Sequence, residues 1–531
     1  MTTMTRLLAG AAFVALGCLS APAPSAASDE NVVLLRSADA DRYDPHRSTA
    51  LAAAEILYMI GDTLVTLDRD LQTIHPGLAE SWTVSEDGLT YTFKLRDDVS
   101  FCDGKKLDAA AAKASIERWI AADFPGVSKW KAGKVAGLDA PDPGTLVYTL
   151  LEPYSELLYQ MTQFNFVIVD AEQAKALGDD FGVKAINGTG PFCFESWEPR
   201  NRTVLKRHEG YTWGPEFQEN RGPAKVAGVT WLISPEDTTR LAALRLGQGH
   251  ASYNIPTWSL AELDADPSIT LVQPPVNFRT NYIGMKITRP SLTDIRVRKA
   301  ISLAIDQTAM AEGVFFGAAE PATAYFSDKT LDFNPKLDLT VFDHIPAAAD
   351  ALLDEAGWKR GDDGIRVKDG QRLELVFYSF TTPAFRQMAE AVQADLKKVG
   401  IDARLEVFDS TIIWGKLKTQ DYDLYIMNYP YISAGDAMNL YFPAKNMPSP
   451  NRMNWDDPQT DALLDAGNRA RNDTDRKAAF ADAQKRIHDA VLWKPLVHEK
   501  LYVAYHGSLA PFVPHGITGA AFYNGLDLDL K

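Results

Sequence analysis

A strand, a helix and two further strands follow one another between residues 373 and 430, and this order strongly constrains the fold. Residues 373–379 (LELVFYS) are a nearly continuous apolar run, typical of a strand buried on both faces. Residues 383–400 carry apolar side chains at helical spacing and end at a glycine. Strands are also predicted at 401–408 (IDARLEVF) and 422–429 (YDLYIMNY). A strand, helix and strand in this order predict parallel pairing with a right-handed crossover, and therefore an open α/β sheet.

The carboxyl ends of these strands predict where a ligand binds, because open α/β sheets bind ligands beyond those ends. The ends fall at Tyr378 and at Tyr429, with Trp414 between them in sequence. Aromatic side chains offer a large contact area at low entropic cost. We therefore expect Tyr378, Trp414 and Tyr429 to contact a ligand, together with Asp436, a carboxylate shortly after the last strand.

The most regular β pattern lies earlier in the chain, in a predicted hairpin within residues 79–109. Apolar residues at 89, 91, 93 and 95 alternate with polar ones, and Asp-Gly pairs mark a turn on either side. Residues 164–170 (FNFVIVD) also predict a strand. With 531 residues, the chain is too long for one hydrophobic core and should form two or three domains.

The first 28 residues predict export. A short apolar run followed by small residues is typical of a cleaved signal peptide, and a lipid anchor at Cys18 is the less favoured alternative. Two other cysteines, Cys102 and Cys193, could pair in an oxidising compartment or stay as free thiols. The formal charge of -16 argues against nucleic acid as a partner.

No motif for bond chemistry is present. The sequence lacks GxSxG, HExxH, a P-loop and a GxGxxG after a strand, and its nine histidines do not stand at metal-ligand spacing. We therefore predict a protein that is not an enzyme and has no cofactor or metal centre. The alternatives from other classes are a secreted hydrolase, which would need a nucleophile with a base, and an adhesion or chaperone-like surface protein.

Residues 78–109 (LAESWTVSEDGLTYTFKLRDDVSFCDGKKLDA) resemble the signature of the large extracytoplasmic solute-binding proteins of ABC importers, family 5, which includes dipeptide, oligopeptide and nickel binders. The resemblance continues in the expected order along nearly the whole mature chain. The further blocks are Asp44-Pro45-His46, 187–194, 294–306, 391–407 and 457–487.

This resemblance implies an α/β protein with the two-lobed periplasmic-binding-protein fold, an extra insert domain, mixed sheets and a hinge. The expected segments are the first lobe at 29–72, 186–278 and 495–531, the insert at 73–185, and the second lobe at 279–494. The implied function is to capture a solute by lobe closure and to deliver it to permease subunits in the inner membrane. The expected ligand is a short peptide, with an opine or sugar-derived solute as the alternative, and the expected state is a periplasmic monomer.

The resemblance also places further candidate ligand residues. In the dipeptide-binding relative, an arginine and an aspartate pair with the ligand termini, but Ser379 and Ser433 stand near those positions here. Neither serine can form a charged pair, which weakens that mode of peptide binding, although Arg386 and Asp436 lie close in sequence. The remaining candidates are Tyr253 and Asn254 at the lobe boundary, and His46 in the Asp-Pro-His block.

Overall fold

The structure is a computed structural model that describes residues 30–48, 51–121, 129–253, 255–517 and 519–531. The predicted signal peptide at 1–28, with Cys18, lies outside these residues, as does the candidate Asn254. In the part of the chain that is described, no helix combines the length and apolar character needed to cross a membrane.

The described residues form helices and strands along the whole chain. The helices are α1 (Leu51–Ile60), α2 (Ala109–Ala121), α3 (Leu157–Gln160), α4 (Ala171–Leu177), α5 (Asp237–Arg245), α6 (Leu260–Asp264), α7 (Ile295–Ala304), α8 (Gln307–Gly313), α9 (Pro346–Glu355), α10 (Pro383–Lys398), α11 (Ser410–Thr419), α12 (Ala434–Tyr441), α13 (Pro458–Arg469) and α14 (Asp473–Asp489). The strands are β1 (Asn31–Arg36), β2 (Val65–Leu67), β3 (Ile74–Pro76), β4 (Ala79–Val84), β5 (Thr90–Leu95), β6 (Val135–Asp142), β7 (Thr145–Leu150), β8 (Phe192–Glu198), β9 (Arg202–Arg207), β10 (Gly228–Ile233), β11 (Ala251–Tyr253), β12 (Ile269–Val272), β13 (Arg279–Met285), β14 (Ala319–Pro321), β15 (Lys359–Arg360), β16 (Arg366–Lys368), β17 (Gln371–Arg372), β18 (Glu374–Phe380), β19 (Asp402–Phe408), β20 (Leu424–Pro430), β21 (Trp493–Glu499) and β22 (Val503–His506).

A seven-stranded sheet has the order β12-β22-β11-β1-β10-β9-β8. Its central strand β1 runs parallel to both β10 and β11, while the remaining pairs are antiparallel. Strand β22, from near the end of the chain, lies between β11 and β12. This sheet is therefore assembled from segments that are far apart in sequence.

The predicted hairpin is the β4–β5 pair of a separate four-stranded sheet, β4-β5-β7-β6. Tyr91, Phe93 and Leu95 of β5 are buried, as their alternation with polar residues predicts. A disulfide joins Cys102, shortly after this hairpin, to Cys193 of β8. The pairing that the sequence left open thus links the four-stranded sheet to the seven-stranded one.

The predicted open α/β unit is a six-stranded sheet with the order β14-β21-β13-β20-β18-β19. Strand β18 pairs in parallel with β19 and β20, and α10 connects β18 to β19, which confirms the predicted crossover. Helix α10 buries Met388, Val392 and Leu396. Two mixed α/β units therefore face each other, and they are joined by the segments after β12 and after β21.

One predicted strand is wrong. Residues 164–170 form a short 3-10 turn at Phe164–Phe166 and a single bridge at Val169 rather than a ladder strand. Phe166, Val167 and Ile168 are buried all the same. A short apolar run indicates that the segment is buried, but it does not by itself distinguish a strand from a buried turn.

Candidate functional site

A cleft of about 700 Å³ opens between the two large sheets. Its walls come from the loop after β11, the loop before β14, the beginning of α10 and the two segments that connect the sheets. This volume is within the range of small-molecule binding sites, which are commonly about 300–1,000 Å³. The cleft is therefore the candidate ligand site.

The cleft presents charges of both signs. Arg279 and Lys500 line it, and so do Glu499 and Asp237. Arg279 Nη1 lies 3.4 Å from Glu499 Oε2, and Lys500 Nζ lies 3.3 Å from Glu320 Oε1. These ion pairs are partly exposed to solvent, so a charged ligand group can compete for either partner at small cost.

Apolar side chains make up much of the remaining wall. Phe278 and Phe315 are buried, and Phe278 stacks on Tyr431 with ring planes 3° apart. Trp258 and Phe316 instead leave 47% and 61% of their surface exposed. The cleft therefore combines fixed aromatic walls with two aromatic side chains that are open to solvent.

Tyr378 and Ser379 lie at the end of β18 as predicted, but both side chains are buried within the second unit. Tyr378 packs against Phe408, with ring centroids 4.9 Å apart. The Ser379 hydroxyl donates to the Phe385 carbonyl at 3.2 Å. Neither residue is among those that line the cleft. Strand position alone does not show which way a side chain faces when both faces of a sheet are covered.

Tyr429, Ser433 and Asp436 come together, but they do so in a buried polar cluster with Glu156 and Gln160. The Ser433 hydroxyl donates to Glu156 Oε2 at 2.6 Å and accepts from the Asp436 backbone N–H, which caps α12. Gln160 Nε2 and the Tyr429 hydroxyl donate to the Asp436 carboxylate. These bonds connect the segment after β7 to the second unit.

Burial sets the ionisation of this cluster. It raises the pKa of Glu156 from 4.5 to about 7, although the bond from Ser433 opposes the shift. Burial also raises the pKa of Asp436. Among the described residues, no hydrogen-bond partner reaches Glu156 Oε1. Burial therefore keeps Glu156 mostly protonated only at pH values below about 7.

Arg386 and Trp414 lie on the surface of the second unit, outside the set of cleft-lining residues. Arg386 Nε pairs with Glu390 one helical turn along α10, at 2.8 Å. The Arg452 guanidinium lies 5.4 Å from the centre of the Trp414 ring. Both side chains therefore have partners within their own unit.

His46 is buried, whereas Tyr253 lies at the cleft. The His46 Nδ1 accepts from Arg118 at 2.7 Å, and burial together with the Arg118 charge lowers the pKa of His46 to about 3. This histidine is neutral and already hydrogen-bonded. Tyr253, at the end of β11, is among the residues that line the cleft.

The sequence did not indicate Arg279, Lys500, Trp258 or Phe316. They stand in loops or at strand ends that are far apart in the chain, and only the packing of the two units brings them to one cleft. The local signals that could have found them are an aromatic after proline at 256–258 and a Phe-Phe-Gly turn at 315–317.

A family model agrees with this architecture. The model described as "Bacterial extracellular solute-binding proteins, family 5 Middle" matches residues 73–448, which is more than half of the chain. The chain belongs to this family.

Relatives of this family 5 protein match it over nearly its whole length. The glutathione-binding protein GsiB of Salmonella paratyphi A is 28% identical over an alignment of 543 positions, which covers 99% of this chain and 100% of the relative. NikA from Brucella suis, solved in complex with Fe(III)-EDTA, is 25% identical with a TM-score of 0.82, covering 95% of this chain and 100% of NikA. The oligopeptide-binding protein AppA from Bacillus subtilis, solved with a nonapeptide, is 19% identical with a TM-score of 0.79 and covers 96% and 100%.

These comparisons confirm the predicted fold and role. The family 5 protein is a two-lobed α/β solute-binding protein of an ABC importer, and members of the family work with ABC permeases. Family members are periplasmic. The two units that face each other across the cleft are its two lobes.

Proposed function

We propose that this protein captures a short peptide in the cleft between its lobes, by closure, and hands it to an ABC permease. The observation that carries the proposal is the set of opposite charges in one cleft, with Arg279 and Lys500 beside Glu499 and Asp237. A peptide with free termini carries both charges at neutral pH. Similarity to a glutathione-binding protein supports this choice, since glutathione is a tripeptide.

The charges suggest how each end of the peptide is held. Arg279 and Lys500 are suited to the carboxylate, while Glu499 and Asp237 are suited to the amino group. A charge-assisted hydrogen bond contributes about 1.5–3 kcal/mol, so the loss of one should weaken binding roughly ten- to hundredfold. Ser379 and Ser433, the serines near the charged positions of the dipeptide-binding relative, are not needed in this arrangement.

The experiment is a thermal-shift and calorimetry panel on the purified protein. Di- and tripeptides with free termini, among them glutathione, are compared with the same peptides N-acetylated or C-amidated, and with opines and sugars. A ligand at a hundredfold excess over Kd stabilises the protein by about 2.7 kcal/mol. We expect free peptides to bind and blocked peptides to bind more weakly. Binding of opines or sugars without any peptide would overturn the proposal.

Two variants locate the contact. Arg279→Gln and Lys500→Gln should weaken binding of free peptides, with a smaller effect on C-amidated ones. Arg202→Gln is the matched control, because Arg202 at the start of β9 forms an exposed pair with Glu198 at the end of β8 and lies outside the cleft. Arg386→Gln distinguishes the cleft from the strand ends that the sequence predicted as the ligand site. A loss of affinity in this variant would place the ligand at those strand ends.

We also propose the domain division, with support from sheet membership. The seven-stranded sheet takes strands from 29–72, 186–278 and 495–531, and the four-stranded sheet lies within 73–185. Strand β21 continues to Glu499 within the second sheet, so we place the second boundary there rather than at 494. We further propose export by the signal peptide at 1–28, a monomer, and a role without catalysis.

A further inference from the structure

Two aromatic side chains in the cleft are exposed although they stand beside an apolar wall. Trp258 is 47% exposed and Phe316 is 61% exposed, while Phe315, next to Phe316, is 5% exposed. Leu51, 40% exposed, lines the same cleft. Single exposed apolar residues are common, but these three all line one cleft, where their side chains are open to a ligand.

The backbone around Phe316 holds this side chain outward. Phe316 has φ of +52°, a left-handed conformation that is unfavourable for a bulky residue. The turn is fixed by two hydrogen bonds, from Gly317 N–H to the Ala311 carbonyl at 3.0 Å and from Ala318 N–H to the Phe315 carbonyl at 2.8 Å. Strain of this kind persists where the surrounding structure enforces it, and it concentrates at ligand sites.

Trp258 is also presented by a fixed turn, on the side of the seven-stranded sheet. It is the middle residue of the 3-10 turn Thr257–Ser259, after Pro256. Ser259 anchors the turn, because its backbone N–H and its hydroxyl both donate to the Pro256 carbonyl, at 2.9 and 2.8 Å. Phe316 precedes β14 of the six-stranded sheet. The two lobes therefore contribute one preorganised aromatic side chain each.

We propose that Trp258 and Phe316 hold an apolar side chain of the ligand, so that the cleft selects peptides that contain an aliphatic or aromatic residue. This inference rests on the proposed function. The charged residues hold the peptide termini, and the two aromatic residues contact the apolar side chain of the peptide. Lobe closure then removes both aromatic surfaces from water, which couples recognition of the side chain to closure.

The test compares peptides that differ only in one side chain. Isothermal titration calorimetry of the wild-type protein with Gly-Phe, Gly-Leu, Gly-Ser and Gly-Gly should give affinities roughly ten- to a hundredfold higher for the first two. Trp258→Ala and Phe316→Ala should each lose most of this preference, because they should weaken binding of Gly-Phe and Gly-Leu more than binding of Gly-Ser. Leu246→Ala is the control, since Leu246 is 72% exposed outside the cleft.

Phe316→Gly separates a ligand contact from a structural role. Glycine adopts positive φ without strain, so this variant should keep or raise the unfolding midpoint while it loses the preference for apolar side chains. A lower midpoint together with unchanged selectivity would show that Phe316 is a structural residue. Equal affinity of the wild type for all four peptides would overturn the inference. If none of them binds, the proposed function itself fails, which is a different result.

Discussion

Replacement of Glu156 by glutamine should remove a pH dependence that this buried carboxyl imposes on stability. The side chain is fully buried at the contact between the insert and α12, where it accepts a bond from Ser433. Arg476, the nearby cation, is already paired with Asp332 at 2.8 Å. Asp436, another buried acid, adds repulsion. The surroundings therefore oppose a charge on Glu156.

The sign and size of the effect follow from the pKa. Burial raises the pKa of Glu156 from 4.5 to about 7, so the folded protein binds more protons than the unfolded chain between these values. The contribution of Glu156 to the free energy of unfolding is therefore greatest at acidic pH, and it falls as the pH rises through 7. The total change is about 3 kcal/mol, and most of it falls between pH 5 and pH 8.

The assay is urea unfolding of wild type and Glu156→Gln at pH 5 and at pH 8. Glutamine resembles the protonated acid, so the free energy of unfolding of the variant should not fall with pH as that of the wild type does. The difference in free energy of unfolding between variant and wild type should therefore be about 2 kcal/mol larger at pH 8 than at pH 5. Glu172→Gln, at an exposed position, serves as the control for substitution alone. An unchanged difference between the two pH values in Glu156→Gln would refute the reasoning, because Glu156 would then be charged and compensated in the folded protein.

Two further predictions concern the frame that supports the cleft. Reduction of the Cys102–Cys193 disulfide, or its replacement by serines, should destabilise the protein by about 4–5 kcal/mol, because the bond closes a loop of 91 residues. Urea unfolding with and without reductant measures this loss. Gly516→Ala should lower the thermal midpoint strongly, because a Cβ there would overlap the Val276 carbonyl. Gly137→Ala is the control: open space surrounds Gly137, so this variant should change the free energy of unfolding by less than about 0.5 kcal/mol.

The sequence predicted the periodic elements well, because their signals are local. Asp108 and Asp294 stand just before α2 and α7 and cap them, each accepting a backbone N–H bond, as is typical of aspartate at that position. The crossover around α10 also follows from local order, since a strand, helix and strand leave few alternatives. These features depend on a few neighbouring residues, so they can be predicted without knowledge of the tertiary structure.

The site could be predicted only in part. Tyr253 was found through its position in the family pattern, and it does line the cleft. Ser433 and Asp436 follow one strand end in the sequence, but Glu156, which bonds to Ser433 in the structure, is 277 residues from Ser433 and has no local signal. Trp258 and Phe316 were missed for the same reason. Which side chains share a cleft depends on how two lobes pack, and this information is spread over the whole chain.

The position of β22 has a consequence for the order in which the protein can form during synthesis. This strand fills the gap between β11 and β12, which leave the ribosome some 230 to 250 residues earlier. Strand β21 likewise fills the place between β13 and β14 in the second lobe and ends shortly before β22 begins, so both sheets keep an open gap with unpaired strand edges until this late part of the chain emerges. Contacts of such long sequence separation form slowly. A nascent chain of this kind therefore stays unfinished in both lobes until residues 493–506 have been made.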